Sequence, residues 1–249
     1  MTTAPASDTN ALSHRRTATL VGVLYITGTA AGICSRVIGG AGPSGPDYLA
    51  NAASTGNDLV IGALFILLMG LSLAFIPVLL FPILRATSRR LALGYLVFRG
   101  ALETTVTIVI VTSWLVLHQM GRDYDPANVD AAGMRSSGAM LAEAQRIIGT
   151  IPGPIVFLTG VAMFYWVLFR ARLVPRWLSV WGLVAILPYL AYALMAAFGT
   201  ESSSAETILD APMALQEMVL AVWLLVRGFR EPGQATPIPA RLVKATAAA

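Results

Sequence analysis

The sequence predicts an all-α membrane protein, a bundle of six transmembrane helices with both termini in the cytoplasm. Hydrophobic residues make up 56% of the chain and charged residues only 12%, and the mean hydropathy is +0.71. An average soluble domain carries about twice that share of charge. The apolar residues are also gathered into runs of about 20, the length that a helix needs to cross the hydrocarbon core of a bilayer. These observations exclude an ordinary soluble domain.

The predicted spans follow one another along most of the chain. Arg15 and Arg16 precede the first span, as in a secretion signal, but this span is longer than a signal sequence and ends in Arg36 and glycines instead of a cleavage site. Five further apolar runs follow, so we expect the first helix to be retained. In chain order, the predicted spans cover residues 17–38, 59–84, 91–117, 147–169, 177–198 and 212–229.

Basic residues predict the orientation, because positive charges near helix ends remain preferentially in the cytoplasm. Six spans place both termini on one side, and the flanks on that side carry most of the basic residues. The last external loop, by contrast, carries Glu201, Glu206 and Asp210 and no basic residue. We therefore expect a multi-pass protein of the inner (cytoplasmic) membrane. The basic flanks contain His14, Arg15, Arg16, Arg85, Arg89, Arg90, Arg170, Arg172, Arg176, Arg227, Arg230, Arg241 and Lys244.

The net charge of +4 and the pI near 9.6 follow from this asymmetry. They do not indicate a nucleic-acid partner, because the basic residues lie at helix ends and not on a separate basic domain. A basic inner rim attracts anionic headgroups, so membrane lipids are the expected partners.

Composition divides the chain into a membrane domain and two tails. Residues 1–16 and 231–249 are rich in Ala, Thr and Pro, which is typical of disordered tails, and we expect both to be cytoplasmic. Residues 17–230 form the predicted six-helix transmembrane domain. The stretch GGAGPSGP at 39–46 is typical of an external loop and not of a phosphate cradle, since no Lys-Ser/Thr follows it. The longest external loop, 118–146, ends in AMLAEAQR, which favours a short helix at the interface.

Residues that support most enzyme and metal chemistry are scarce. Cys34 is the only cysteine, which excludes an intramolecular disulfide and a cysteine metal cluster. His14 and His118 are too few for a histidine metal site or for paired haem ligation. The sequence contains no GxSxG, HExxH or Walker motif. We expect neither a cofactor nor a metal, and the chain offers little support for an enzyme.

Small residues and prolines predict how the helices pack. Gly28 and Gly32 form one GxxxG pair, and Gly149 and Gly153 form another. Such pairs let backbones approach closely where lipid supplies no hydrophobic drive, and we favour packing within one chain over dimerisation. Prolines in the spans kink helices and free carbonyl groups, and they are Pro77, Pro82, Pro152, Pro154 and Pro188.

The third span contains the candidate site. Tyr95, Arg99 and Glu103 recur every four positions and share one stripe of the helix, which Thr107 continues. Glu103 lies roughly 18 Å from the start of its span, and Glu217 about 12 Å from the last external loop, so both are near mid-depth. Because each central charge costs about 2.5 to 3.5 kcal/mol on insertion scales, we expect Arg99, Glu103 and Glu217 to face inward and toward one another.

The balance of charge leaves two interpretations open. One arginine neutralises one carboxylate, so the second must be protonated, paired with a bound cation or exposed to water. In the functional interpretation, a site made by Arg99, Glu103, Glu217 and Tyr95 binds a small molecule, a proton or a cation. In the structural interpretation, Arg99 and Glu103 form an ion pair while Glu217 stays neutral and binds a freed backbone group.

Several short motifs resemble a known family. They are Gly94-Tyr95 with Arg99 and Glu103, the segment VPRWLSVWG at 174–182, and Pro212 with Glu217, Trp223-Leu224 and Gly228-Phe229. This pattern is similar to that of a bacterial integral-membrane family known as domain of unknown function 4386, and it extends over residues 16–229. The resemblance implies a bacterial multi-pass membrane protein and carries no activity with it.

The most specific of these motifs, VPRWLSVWG, also has a plain physical interpretation. Pro175 opens the fifth helix at its first turn, and Arg176 anchors that end of the helix in the cytoplasm. Trp177 and Trp181 would then lie at the level of the headgroups. This interpretation requires no catalysis.

Three functional hypotheses remain. The first is a binding or transport bundle in which the buried charges line a polar cavity; its two halves of three spans would have opposite orientations, each ending in a helix with a buried glutamate. The second is an intramembrane or lipid-modifying enzyme that uses the same carboxylates for acid and base chemistry, against which stands the lack of a nucleophile and of metal ligands. The third is a regulatory or scaffolding membrane protein without a ligand site.

Overall fold

Helices account for most of the residues that the computed structural model describes, which are 6–40, 49, 57–125, 127, 129–200 and 202–230. Within this part of the chain, six helical stretches are long and apolar enough to cross a membrane, and no strand occurs. The predicted fold class, an all-α protein with six transmembrane helices, is confirmed.

We number the helices in chain order. They are α1 (Ala6–Gly39), α2 (Asp58–Leu84), α3 (Arg89–Asp123), α4 (Ala131–Thr150), α5 (Pro152–Ala171), α6 (Arg176–Ala197) and α7 (Ser203–Val226). In α3, a π-helical segment at Leu96–Leu102 separates two α-helical parts. All of these helices except α4 correspond to predicted spans.

The first helix extends further toward the N-terminus than the predicted span. α1 begins at Ala6, so the described backbone of residues 6–16 is helical, although these residues are predicted to belong to a disordered tail. One physical reason is an anchor at Arg15, whose Nη1 and Nη2 donate to the carbonyl oxygens of Leu224 and Leu225 at 3.3 and 2.7 Å. The disorder predicted for residues 1–5 and 231–249 lies outside the described residues.

The last helix also begins earlier than predicted. Ser202 caps α7, since its hydroxyl accepts a hydrogen bond from the amide of Ala205 at 3.2 Å. The acidic side chain of Glu206 follows in the first turn, where the helix dipole favours it. Pro212 therefore lies inside α7 and does not open it.

The predicted fourth span is preceded by a separate helix. The loop predicted to be external contains α4, which is longer than the short helix expected there. The predicted span at 147–169 begins within the last turn of α4. Ile151 leaves the helical conformation, with φ −120° and ψ −70°, because the residue before a proline is disfavoured in the α region. Pro152 then opens α5 at its first position, where a missing N–H costs nothing.

The six spans form a closed ring in chain order. α1 packs along α2, α2 along α3, α3 along α5, α5 along α6 and α6 along α7, and α7 returns to α1. α4 packs against α3, α5 and α6. The order of the ring places α3 and α7 opposite each other, so that long side chains from the two helices can meet at its centre.

Glycines allow the closest approaches between the first two helices. A Cβ added to Gly28 would lie 3.1 Å from Cδ2 of Leu73, and one added to Gly32 would lie 2.9 Å from Sδ of Met69. Both neighbours belong to α2, so this GxxxG pair packs within the chain, as expected. The second GxxxG pair, which bridges α4 and α5, faces α3.

Candidate functional site

Arg99 lies at the centre of the ring and binds two carboxylates. Its side chain is 2% exposed. Nη1 donates to the two oxygens of Glu103 at 2.7 and 2.8 Å, and Nη2 donates to Oε1 of Glu217 at 3.1 Å. The structure thus brings together the three charged residues that the sequence places near mid-depth. We call these three residues the charged cluster.

The local geometry of α3 positions the first two members. Arg99 and Glu103 are four residues apart and share one face, and Arg99 lies in the π segment while Glu103 resumes the α-helix. Threonine hydroxyls often satisfy carbonyl groups where a transmembrane helix departs from regular geometry. Here Thr104 and Thr105 donate to the carbonyl oxygens of Gly100 and Ala101 at 2.5 and 3.0 Å. The irregular turn at Arg99 is therefore supported from within its own helix.

The charged cluster would contain more negative than positive charge if both carboxyl groups were ionised. Two carboxylates share one guanidinium, and Nε of Arg99 is buried with no hydrogen-bond partner among the described residues. The side chains of Glu103 and Glu217 are 20% and 14% exposed, so both are largely enclosed. Because an uncompensated buried charge is strongly unfavourable, a proton or a small cation on one carboxylate would lower the free energy of the cluster.

The aromatic ring of Phe157 on α5 covers the guanidinium, and Tyr189 on α6 packs behind this ring. Cζ of Arg99 lies 4.6 Å from the ring centroid of Phe157, within the range of a cation–π interaction. The ring of Tyr189 contacts that of Phe157 at a centroid distance of 5.2 Å. Gly160 permits this approach, since a Cβ there would lie 3.1 Å from the backbone N of Arg99. α5 therefore packs directly against the π segment.

A second polar group lies beside the charged cluster. The hydroxyl of Tyr165 donates to Oε1 of Gln216, and Nε2 of Gln216 donates to the carbonyl oxygen of Leu178 at 3.1 Å. All three residues are buried. Because Gln216 adjoins Glu217, these hydrogen bonds join α5, α6 and α7 next to the cluster. Tyr165 is not among the predicted site residues, since no sequence signal separates a tyrosine that forms hydrogen bonds from one that only packs.

Tyr95, the fourth predicted site residue, lies in the core and is not hydrogen-bonded to the charged cluster. Its ring stacks on Phe164 with centroids 4.7 Å apart. Its buried hydroxyl has no partner at ordinary hydrogen-bond geometry among the described residues, although Tyr25, fully buried on α1, interacts with it. Thr107, further along the same stripe, donates to the carbonyl oxygen of Glu103 at 3.1 Å. The predicted role of Tyr95 in binding stays a prediction.

Polar residues continue from the charged cluster toward the N-terminal end of α7. Asp210 precedes Glu217 by two helical turns and lies on the same face of α7. Tyr189 interacts electrostatically with Asp210 and with both glutamates of the cluster. One turn before Asp210, Glu206 forms an ion pair with Arg36 at 3.0 Å. Polar side chains therefore recur between the cluster and the N-terminal end of α7.

The charged cluster can bind only a few kinds of ligand. The part of the chain that the structure describes holds no group of three His, Cys, Asp or Glu residues that could bind a metal ion. A guanidinium with two carboxylates can exchange a proton, bind a small cation or bind an anionic group, and ionisable residues at membrane depth often serve these purposes.

Comparison with known proteins identifies the family to which the chain is related. Neither curated proteins nor solved structures include a match to it. A family model matches residues 20–228, a range that includes the whole charged cluster and agrees with the resemblance seen in the sequence. The chain belongs to the family described as domain of unknown function (DUF4386).

Proposed function

We propose that this membrane protein binds a proton or a small cation at the charged cluster, in the course of binding or transporting a small molecule. The observation that supports this function is the shared guanidinium, since Arg99 contacts the carboxylates of both Glu103 and Glu217 inside the ring. Charges at this depth are costly, and where they occur they often mark ion pathways and proton relays. The excess negative charge favours a positive ligand.

Glu217 is the carboxylate that exchanges its ligand. A single hydrogen bond of 3.1 Å holds it to Arg99, whereas both oxygens of Glu103 are held, at 2.7 and 2.8 Å. Neutralising Glu217 therefore disturbs fewer contacts. Glu103 lies on the same helix as Arg99 and remains its permanent partner.

Loading of Glu217 changes what Arg99 can bind. A proton on Glu217 weakens the hydrogen bond that its carboxylate accepts from Nη2 of Arg99. Nη2 then becomes able to bind an anionic group of a small molecule. The proton and the anion together add no net charge to the cluster. Added charge would be unfavourable there, because electrostatic energies are large where the dielectric constant is low. The geometry thus supports coupled binding of a proton and a small anion.

The arrangement of the bundle favours transport over a fixed ion pair. α3 and α7 end the two halves of three spans and carry one glutamate of the cluster each, as an inverted repeat would. Tyr189 and Asp210 add polar side chains between the cluster and the end of α7 that we expect to be external. With the basic flanks in the cytoplasm, this end would face outward across the inner membrane.

Carbodiimide labelling tests the proposal. Dicyclohexylcarbodiimide modifies protonated carboxyl groups inside membranes, and peptide mass spectrometry identifies the modified residue. In liposomes containing the full chain, we expect labelling of Glu217 to rise as the pH is lowered from about 9 to about 5, and labelling of Glu103 to remain lower. Glu143, an exposed carboxylate on α4, is the control and should react instead with a water-soluble carbodiimide.

The Glu217→Gln variant separates ligand exchange from a structural role. It keeps a hydrogen-bond acceptor for Arg99 and should fold, but it has no carboxyl group to label. If Glu217 of the parent stays unlabelled at every pH while the melting temperature shows an intact fold, the cluster is structural and the proposed function is wrong.

A further inference from the structure

An open cleft lies between the end of α2 and the beginning of α3, about four helical turns of α3 before Glu103. Its volume is about 600 Å³. The residues that line it are Phe81, Pro82, Arg85, Ala86 and Arg89. It is therefore basic on one part of its wall and apolar on another.

The basic part consists of two guanidinium groups without partners. Arg85 and Arg89 are exposed, and neither side chain forms an ion pair or a hydrogen bond within the part of the chain that the structure describes. No acidic residue occurs between Asp58 and Glu103 in the sequence, so the neighbouring chain offers no carboxylate to neutralise them. Two free guanidinium groups four residues apart suit the oxygens of a phosphate group, which they can bind through paired hydrogen bonds.

The apolar part continues along the outer surface of α2. Leu71, Phe75 and Val78 are exposed and lie, with Pro82, at intervals that keep them on one stripe of the helix. This stripe is about 16 Å long, close to the thickness of the hydrocarbon in one leaflet. A phosphate group bound at the arginines would therefore have an apolar surface for acyl chains directly beside it.

We propose that this cleft is a binding site for an anionic phospholipid, with the headgroup phosphate between Arg85 and Arg89 and an acyl chain along the stripe from Pro82 to Leu71. The proposal is independent of the function proposed for the charged cluster. A free phosphate ion would bind the arginines but not the apolar stripe. This difference distinguishes a phospholipid from inorganic phosphate as the ligand.

Native mass spectrometry of the full chain in detergent tests the site. The probes are dioleoyl phosphatidylglycerol, dioleoyl phosphatidylcholine with the same acyl chains, and inorganic phosphate. Since each charge-assisted contact to the phosphate that is lost weakens binding by roughly 10-fold, the double variant Arg85→Gln, Arg89→Gln should bind phosphatidylglycerol about 100-fold more weakly. Phosphatidylcholine has the same phosphate beside a positive choline group, so it should bind the parent more weakly and lose less affinity in this variant.

The matched control is the double variant Arg90→Gln, Arg170→Gln. It loses the same net charge from two exposed arginines that do not line the cleft, so it should bind phosphatidylglycerol as the parent does. Melting curves establish that both double variants fold. Equal weakening in the two variants would show unspecific attraction, and displacement of the lipid by inorganic phosphate at equal concentration would show a phosphate site; either result would overturn the proposal.

Discussion

Arg99 holds the centre of the bundle in a way that a lysine could not. Its planar guanidinium presents donors in fixed directions, and Nη1 and Nη2 bind carboxylates from two different helices. An ammonium group is a compact point charge without this fork. Each member of the charged cluster is buried at a cost that only the other members offset, so the stability of the cluster is collective.

Single substitutions in the charged cluster should reveal this dependence. Arg99→Met leaves two carboxylates without a cation, and we expect the free energy of unfolding to fall by about 3 to 5 kcal/mol. Glu103→Gln should cost less, about 1.5 to 3 kcal/mol, because Glu217 still binds Arg99. Steric trapping in bicelles measures both values.

The triple variant Arg99→Met, Glu103→Gln, Glu217→Gln distinguishes the effect of charge from that of packing. It contains no buried charge and keeps similar side-chain volumes, so it should recover much of the stability that Arg99→Met loses. An Arg99→Met variant as stable as the parent would show that the three side chains do not interact in the folded protein.

The sequence reveals those residues of the site that carry charge. Spacing along the third span predicts the contact of Arg99 with Glu103, and similar depth predicts the approach of Glu217. Tyr165 could not be found in this way, because tyrosines also occur at membrane interfaces and in cores, and no charge marks the one that binds Gln216. The hydrogen bonds that surround a charged cluster depend on which helices are neighbours, and hydropathy does not contain this information.

Among helices, apolar length predicts the spans better than it predicts their ends. α7 begins well before Pro212 because Ser202 caps it, and the fourth apolar run is divided at Ile151 by the proline that follows. Both effects act through backbone hydrogen bonds and backbone conformation. A count of apolar residues does not detect either of them. The π segment at Leu96–Leu102 is equally hidden, since its residues are common in ordinary helices.

α5 reaches the charged cluster through a glycine. A Cβ at Gly160 would lie 3.1 Å from the backbone N of Arg99 and 3.3 Å from Cβ of Phe98. These atoms belong to or adjoin the backbone and cannot move aside as the end of a flexible side chain can. We expect Gly160→Ala to separate α5 from the π segment and to lower the free energy of unfolding by about 1 to 3 kcal/mol.

Gly149→Ala provides the matched comparison for this prediction. The added Cβ would meet only Cδ1 of Ile110 at 3.8 Å, an ordinary contact, and alanine favours a helix over glycine. Its free energy of unfolding should stay within about 1 kcal/mol of the parent or rise slightly. Steric trapping compares the two variants, and equal values for both would contradict the close approach of α5 to Arg99.

For the whole molecule, the closed ring is the feature that composition does not predict. Six spans follow from the apolar runs, but the return of α7 to α1 depends on particular contacts, such as those of Arg15 with the carbonyl oxygens of Leu224 and Leu225. These contacts join the N-terminal part of α1 to the C-terminal end of α7. Closure matters for the site, because only a ring brings α3 and α7 opposite each other and encloses the charged cluster.

The orientation of this ring in the membrane can be tested with fusions. Basic flanks predict that the face with both termini is cytoplasmic, so alkaline phosphatase, whose disulfides form only outside the cytoplasm, should be inactive when fused after Ala249. A green fluorescent protein at the same place should fluoresce. The phosphatase inserted at Val129, an exposed residue between α3 and α4, should be active because an odd number of spans precedes it. Activity at the C-terminus with none at Val129 would mean the opposite orientation, and activity at both places would mean that one of the later helices does not cross the membrane.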